Sequence, residues 1–322
     1  MKIYSIQYLR AIAAIGVVLC HYANPTLSNL QYSWSPFVNF WGKYGVDVFF
    51  VISGFIISYI FQFENKPKLF LRKRMARIYP TYWQIYLLTI LVWIVVRGIF
   101  KIQFMPHGTW FVNMSLLPFE YDGDSSKMVI GVAWTLYYEM FFYLIATASL
   151  YFFSQPKNGM KIFLLLNVLV ISFFAKKEIF HLQAGLILEF IAGFFLMEFF
   201  KEKKIEDLFL IAVSLWFLEE SQTIENLEAT ALSLALLAGG IFLEKKNKLP
   251  EFKTLSKIGD ASFSLYLIHY PLLHLVDALA GKIGNSVFLM VSSFVLVIYL
   301  AILNYEKFEK PMALKLKKYA RE

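Results

Sequence analysis

The first apolar stretch of the chain, residues 3–22, contains two ionisable side chains, Arg10 and His21. A helix of this length rises roughly 30 Å at about 1.5 Å per residue, which is enough to cross a bilayer. An ionisable group at that depth costs free energy unless it faces a protein interior or a wet cavity. We therefore expect this helix to pack inside a membrane bundle, with Arg10 and His21 in functional positions.

The spacing of Arg10 and His21 places both side chains on one face of the helix. Eleven residues at about 100° each make three turns plus about 20°, and the rise between them is roughly 16 Å. One face thus presents a permanent cation at one depth and a titratable imidazole at another. The alternative is that Arg10 snorkels to the surface and His21 only ends the span.

Composition indicates the class of protein. Hydrophobic residues make up 58% of the chain and charged residues 17%, whereas soluble domains have about 25% charged residues. The predicted fold class is therefore an all-α, polytopic membrane protein. The single cysteine, Cys20, excludes an internal disulfide framework and a cysteine-based zinc site, and we predict no metal.

Ten apolar segments predict about ten transmembrane helices. The segments are 3–22, 44–63, 80–97, 129–153, 161–175, 182–200, 207–219, 227–243, 259–279 and 285–304. The longest outer loop, 98–128, is expected to roof a site that opens to the outside. Residues 1–305 are predicted to form one transmembrane domain, and residues 306–322 a short basic tail.

The distribution of positive charge predicts the topology. With the N-terminus inside, the cytoplasmic segments contain 23 Lys and Arg residues and the opposite loops contain 7. This asymmetry predicts that both termini are cytoplasmic in a multi-pass membrane protein. The net charge of +8 then reflects topology and contact with anionic lipid, which argues against a nucleic-acid partner.

Three carboxylates are candidates for chemistry. Asp47 opens the second segment, near the predicted depth of His21, and could orient that imidazole; it could equally cap its own helix. Glu139 and Glu189 lie in mid-span and need partners on other helices. They could pair with Arg10, orient His21, hold a polar ligand, or form a structural ion pair.

A basic cluster that includes Arg72, Arg74 and Arg77 precedes the third segment on the cytoplasmic side. Arg74 and Arg77 are neighbours on a helix, so both guanidinium groups could bind one polyanion. The cluster could also be only a topology anchor. Farther along, His269 lies deep in the ninth segment and could line a cavity; its spacing of five from His274 does not suit a metal pair on a helix.

Several of these motifs occur in the order typical of one family. Residues 8–14 leading to His21, then 45–55, 70–80, 134–139 and 259–269, resemble acyltransferase family 3, the integral-membrane O-acyltransferases of bacterial surface glycans. The resemblance is strongest over residues 5–83, is closest to the exopolysaccharide-modifying branch, and thins over residues 154–255.

The resemblance implies transfer of an acetyl or other short acyl group from cytoplasmic acyl-CoA, most simply acetyl-CoA, to a sugar hydroxyl. The acceptor would be a polysaccharide or a lipid-linked glycan. The family's essential Arg and His correspond to Arg10 and His21, and its paired arginines to Arg74 and Arg77. His21 would act as general base or transient acyl carrier.

The remaining candidates are assigned by this interpretation. Asp47 and Glu139 join Arg10 and His21 as catalytic candidates. The donor would contact Arg72 and Ser53 in addition to the paired arginines, and the acceptor would contact Trp134, Glu189 and His269. The alternative function is a secondary transporter or flippase of a glycan or small anion, because buried Arg, His and Glu would serve it equally well.

The charge asymmetry predicts that the segment 64–79 faces the cytoplasm. A cysteine at Lys68, in a Cys20→Ala background, should be shielded from membrane-impermeant thiol reagents in intact cells. Labelling from outside would overturn the topology, and with it a cytoplasmic route for the donor.

Overall fold

The computed structural model describes residues 3–23, 35–100, 110–117, 128–152, 184–221, 224–283 and 287–319. Regular structure within these ranges is helical, without a strand. The helices are α1 (Tyr4–Ala23), α2 (Ser35–Phe61), α3 (Pro67–Phe100), α4 (Trp110–Ser115), α5 (Trp134–Phe152), α6 (Ala184–Glu202), α7 (Ile205–Ser221), α8 (Ile224–Lys245), α9 (Lys253–Asp260), α10 (Ser262–Ile283), α11 (Val287–Asn304) and α12 (Lys310–Tyr319). A 3-10 turn, Gly131–Ala133, precedes α5, and a π-helix, Tyr305–Glu309, joins α11 to α12.

Six candidate membrane spans occur in the described part of the chain, each long and apolar enough to cross a bilayer. They lie in α1, α2, α3, α8, α10 and the continuous run of α11 and α12. The predicted all-α, multi-pass class is thereby confirmed, while ten spans and cytoplasmic termini stay predictions. Nine of the ten predicted segments fall on helices, and the segment 161–175 lies outside the described residues.

Helix α3 begins at Pro67, well before the predicted segment 80–97, and Pro80 lies inside it. The basic stretch before Pro80 is rich in Leu, Arg, Lys, Met and Ala, all of which favour helix, although their charge hides them from a hydropathy count. The 34 residues of α3 extend roughly 51 Å, which exceeds the bilayer core. The cluster of arginines is therefore part of a helix that enters the bundle.

Part of the predicted outer loop, 98–128, folds back along α3. The Tyr82 hydroxyl donates to the Asn113 carbonyl at 2.7 Å, and Trp83 Nε1 donates to the Met114 carbonyl at 3.0 Å. Both contacts lie near the middle of α3, because this helix runs from residue 67 to residue 100. Asn113 and Met114 lie in the last turn of α4, where carbonyl groups have no partner within the helix, so side chains of α3 satisfy them.

Helix α1 is the central element, in contact with α2, α8, α9 and α10. Its N-terminus is held by a carboxylate of α8. Glu244 accepts hydrogen bonds from the backbone amides of Tyr4 at 2.8 Å and Ser5 at 2.9 Å. An acidic group stabilises the otherwise unsatisfied amides at a helix N-terminus. The end of α1 nearest Arg10 is thereby fixed.

Glycines allow α2 and α6 to pack with their backbones in contact. A Cβ atom on Gly54 would lie 1.8 Å from the Phe190 carbonyl oxygen, and one on Gly193 would lie 2.0 Å from the Val51 carbonyl oxygen. Small residues permit this close approach between membrane helices. Helix α2 is therefore held between α1 and α6 at the depth of Ser53.

We expect Gly54→Ala to destabilise the protein, because the added methyl group overlaps backbone atoms of α6. Overpacking of this kind costs about 1–3 kcal/mol. Gly98→Ala is the matched control, because no atom of the described residues lies within 4 Å of its added Cβ. Thermal unfolding of both variants in detergent checks the prediction, and equal stability of the two would refute the close packing of α2 and α6.

Candidate functional site

A cleft opens between α1, α2, α3, α5, α6 and α10, with a volume of about 710 Å³ including its open mouth. Its apolar wall includes Phe49, Phe50 and Phe190. The polar and charged side chains that line it are Arg10, Ser53, Arg77, Thr135, Glu139 and Ser262. Four of the residues predicted from the sequence, on four different helices, thus share one cavity: Arg10, Ser53, Arg77 and Glu139.

The charge in this cleft is dominated by two arginines. Among the described residues, no carboxylate oxygen lies within 4.0 Å of the Arg10 or Arg77 guanidinium nitrogens. Glu139 and Glu309 lie close enough to attract both arginines electrostatically without pairing directly with either. The cleft therefore offers two guanidinium groups with unused donors, an arrangement that suits an anion such as a phosphate.

Hydrogen bonds hold both nearby carboxylates in place. The Tyr143 hydroxyl donates to Glu139 Oε1, one helical turn away on α5. Ser264 Oγ donates to Glu309 Oε2 at 2.5 Å, and Ser264 Oγ in turn accepts from Asn304 Nδ2 at 2.9 Å. Each carboxylate thus has an oxygen occupied by a hydroxyl group rather than by an arginine.

The other two arginines of the predicted cluster, Arg72 and Arg74, do not line the cleft. Arg74 is buried, with its guanidinium carbon 5.8 Å from the Phe70 ring centre and 6.0 Å from the Tyr143 ring centre. Arg72 is exposed and lines a separate surface groove with Leu316. Arg74 is three residues before Arg77 and lies about 60° from it around the helix, whereas Arg72 lies about 140° away. Arg74 and Arg77 both lie close enough to Glu139 and Tyr143 to interact with them electrostatically.

His21 lies beside His269, with ring centres 5.0 Å apart and ring planes at 47°. His21 Nδ1 is 2.9 Å from the Val17 carbonyl oxygen, and His269 Nδ1 is 3.2 Å from the Leu265 carbonyl oxygen. A carbonyl oxygen only accepts, so Nδ1 carries the hydrogen in each neutral ring. The lone pair of each imidazole is therefore on Nε2.

Tyr266 connects the cleft to this pair of histidines. Its side chain lines the cleft, and its ring centre is 6.0 Å from that of His269. The Tyr266 hydroxyl donates to the Val132 carbonyl at 2.6 Å and lies 3.0 Å from Thr135 Oγ1. The turn before α5 thereby fixes the position of Tyr266 between the cleft and His269.

Asp47 and Glu189 lie together. The two carboxyl groups interact across the interface of α2 and α6, and both side chains are buried. No carboxylate of the described residues hydrogen-bonds to His21. Trp134 is half-buried next to the cleft residue Thr135 and packs against Tyr138, with ring centres 5.7 Å apart.

Three residues of the site were missed by the sequence reasoning. Tyr143 is four residues after Glu139, a spacing that puts the two side chains together on a helix and could have identified the pair. Glu309 and Tyr266 reach the site only through tertiary packing, because Glu309 lies in the π-helix and Tyr266 in α10. No group of His, Cys, Asp or Glu side chains suited to a metal ion occurs in the described ranges.

Comparison with known proteins identifies the family. A family model described as an acyltransferase domain matches residues 3–306. The exopolysaccharide production protein ExoZ of Rhizobium meliloti is 29% identical over 246 residues, which cover 71% of this chain and 75% of ExoZ. The O-acetyltransferase OatA of Staphylococcus aureus is 24% identical over 98% of this chain and 58% of its own length.

The peptidoglycan O-acetyltransferase OatA of Listeria monocytogenes is 25% identical over 96% of this chain. The chain spans 55% of that relative. No solved structure matches. The family match covers nearly the whole sequence and includes every residue of the cleft. This chain belongs to acyltransferase family 3.

Proposed function

We propose that this protein transfers an acetyl or other short acyl group from cytoplasmic acyl-CoA to a hydroxyl group of a surface polysaccharide or lipid-linked glycan. Family membership and the relatives ExoZ and OatA support the reaction class and the type of acceptor. A multi-pass position in the cell inner membrane would give one protein access to a donor inside and an acceptor outside.

One observation favours a CoA donor above the others: Arg10 and Arg77 face a cleft of the helix bundle without direct carboxylate partners among the described residues. CoA has phosphate groups at one end and the thioester at the end of a long arm. Guanidinium groups bind phosphate oxygens through charge-assisted hydrogen bonds, which are among the strongest in proteins. The phosphates would bind at this arginine pair.

The dimensions of α1 fit such a donor. Arg10 and His21 are separated along the helix by roughly 16 Å, a length comparable to an extended pantetheine arm. With its phosphates at Arg10, CoA would bring its thioester to the depth of His21. The apolar wall of Phe49 and Phe50 would exclude water from the arm.

His21 would then supply the base. Its Nε2 lone pair takes the proton of the sugar hydroxyl while the hydroxyl oxygen attacks the thioester carbon. The carbon–sulfur bond breaks, the ester forms, and the proton passes from Nε2 to the CoA sulfur. If His21 instead carries the acyl group transiently, the same nitrogen is the nucleophile.

We expect Arg77→Gln to weaken acetyl-CoA binding roughly ten- to hundredfold, the effect of losing one charge-assisted contact worth about 1.5–3 kcal/mol. Arg97→Gln is the matched comparison on the same helix, because Arg97 is exposed and does not line the cleft, and it should leave affinity unchanged. Binding is measured by titration of the purified protein with acetyl-CoA. If the two variants bind acetyl-CoA with equal affinity, the donor does not bind in the cleft.

We expect His21→Gln to abolish acyl transfer while acetyl-CoA binding and expression are retained. Glutamine keeps polarity and volume but cannot take up a proton at neutral pH. The assay follows thiol release from acetyl-CoA by protein in vesicles, together with ester-bound acetate on surface polysaccharide of the producing cells. A wild-type protein without either activity would disprove the proposed function, and an active His21→Gln variant would disprove the role of the base.

A further inference from the structure

His269 is a buried imidazole that the proposed reaction leaves without a role. Its side chain is fully buried on α10, and its Nδ1–H is bound to the Leu265 carbonyl. Its Nε2 is also buried and has no hydrogen-bond partner among the described residues. A buried acceptor without a donor costs free energy, so its persistence calls for an explanation.

The surroundings of His21 supply that explanation. When His21 takes up a proton it becomes a cation in the interior of a membrane bundle, where an uncompensated charge is costly. Asp47 is engaged with Glu189 rather than with His21. In the described part of the chain, the ring in contact with His21 is that of His269, 5.0 Å away between centres.

We propose that His269 is a positioning residue for the reaction, whose Nε2 accepts a hydrogen bond from the His21 imidazolium. The inference rests on the proposed acyl transfer. The hydroxyl proton binds His21 Nε2 as the O–H bond breaks, is shared with His269 Nε2 while the carbon–sulfur bond breaks, and then leaves for the CoA sulfur. Both histidines return to the neutral form, so atoms and charge balance over the cycle.

His269 could act as a hydrogen-bond acceptor or only fill space, and these two roles predict opposite orders of activity for two substitutions. Phenylalanine preserves the ring that contacts Tyr266 but removes both nitrogens. Glutamine loses the ring but retains an acceptor oxygen near the position of Nε2. If His269 acts as an acceptor, the glutamine variant is the more active; if His269 only fills space, the phenylalanine variant is the more active.

The experiment measures thiol release from acetyl-CoA by full-length protein in vesicles, with water as the acceptor. We expect His269→Phe to lower kcat roughly ten- to hundredfold without changing the KM for acetyl-CoA, which is the loss expected for one charge-assisted hydrogen bond. His269→Gln should recover a large part of that loss. His274→Phe is the control on the same helix, because His274 packs against Tyr270, with ring centres 4.6 Å apart, and it should keep wild-type kcat.

The outcomes distinguish failure of the proposed acyl transfer from failure of the role of His269 alone. Wild-type protein that releases no thiol and acylates no polysaccharide would disprove the proposed function itself. Active wild-type protein would overturn the role of His269 alone if the phenylalanine variant equals or exceeds the glutamine variant. An altered KM with unchanged kcat, or an equal loss in His274→Phe, would also overturn it.

Discussion

Two arginine side chains inside a membrane bundle impose the main constraint on this structure. Arg10 and Arg77 repel each other, and charges interact more strongly in the low dielectric of a bundle than at a wet surface. Glu139 and Glu309 moderate that repulsion from a distance. Because Tyr143 and Ser264 hold these carboxylates, neither collapses onto an arginine. Arg10 and Arg77 thus keep guanidinium donors that could bind an anion.

Helix α1 links this charged region to a neutral one. Arg10 lies in the cleft, whereas His21 lies beside His269, whose side chain is fully buried. The two environments favour different steps of one reaction, since anion binding needs fixed positive charge and proton transfer needs an uncharged base. Glu244 anchors the first turn of α1, so the distance between the two regions is set by a single rigid element.

The sequence predicted the depth of a side chain in the membrane far better than it predicted which other helices that side chain contacts. Helical spacing put Arg10 and His21 on one helix, and α1 is continuous from Tyr4 to Ala23. The sequence could not show which helix Asp47 faces, because that depends on the close packing of α2 against α6 at Gly54. The start of α3 was missed because hydropathy ignores helical charged residues. The sequence therefore did not show which of the three arginines lines the cleft, which is Arg77.

The π-helix Tyr305–Glu309 is synthesised near the end of the chain, which affects how the charge of the cleft is balanced during biogenesis. Glu309 is made long after Arg10 and Arg77, yet it belongs to the charge balance around both. Early in biogenesis the two arginines therefore enter the membrane before this counter-charge exists. Glu139 on α5 can supply the first counter-charge, and Glu309 the second only after α11 has been made. The final charge balance of the cleft is therefore established late in the synthesis of the chain.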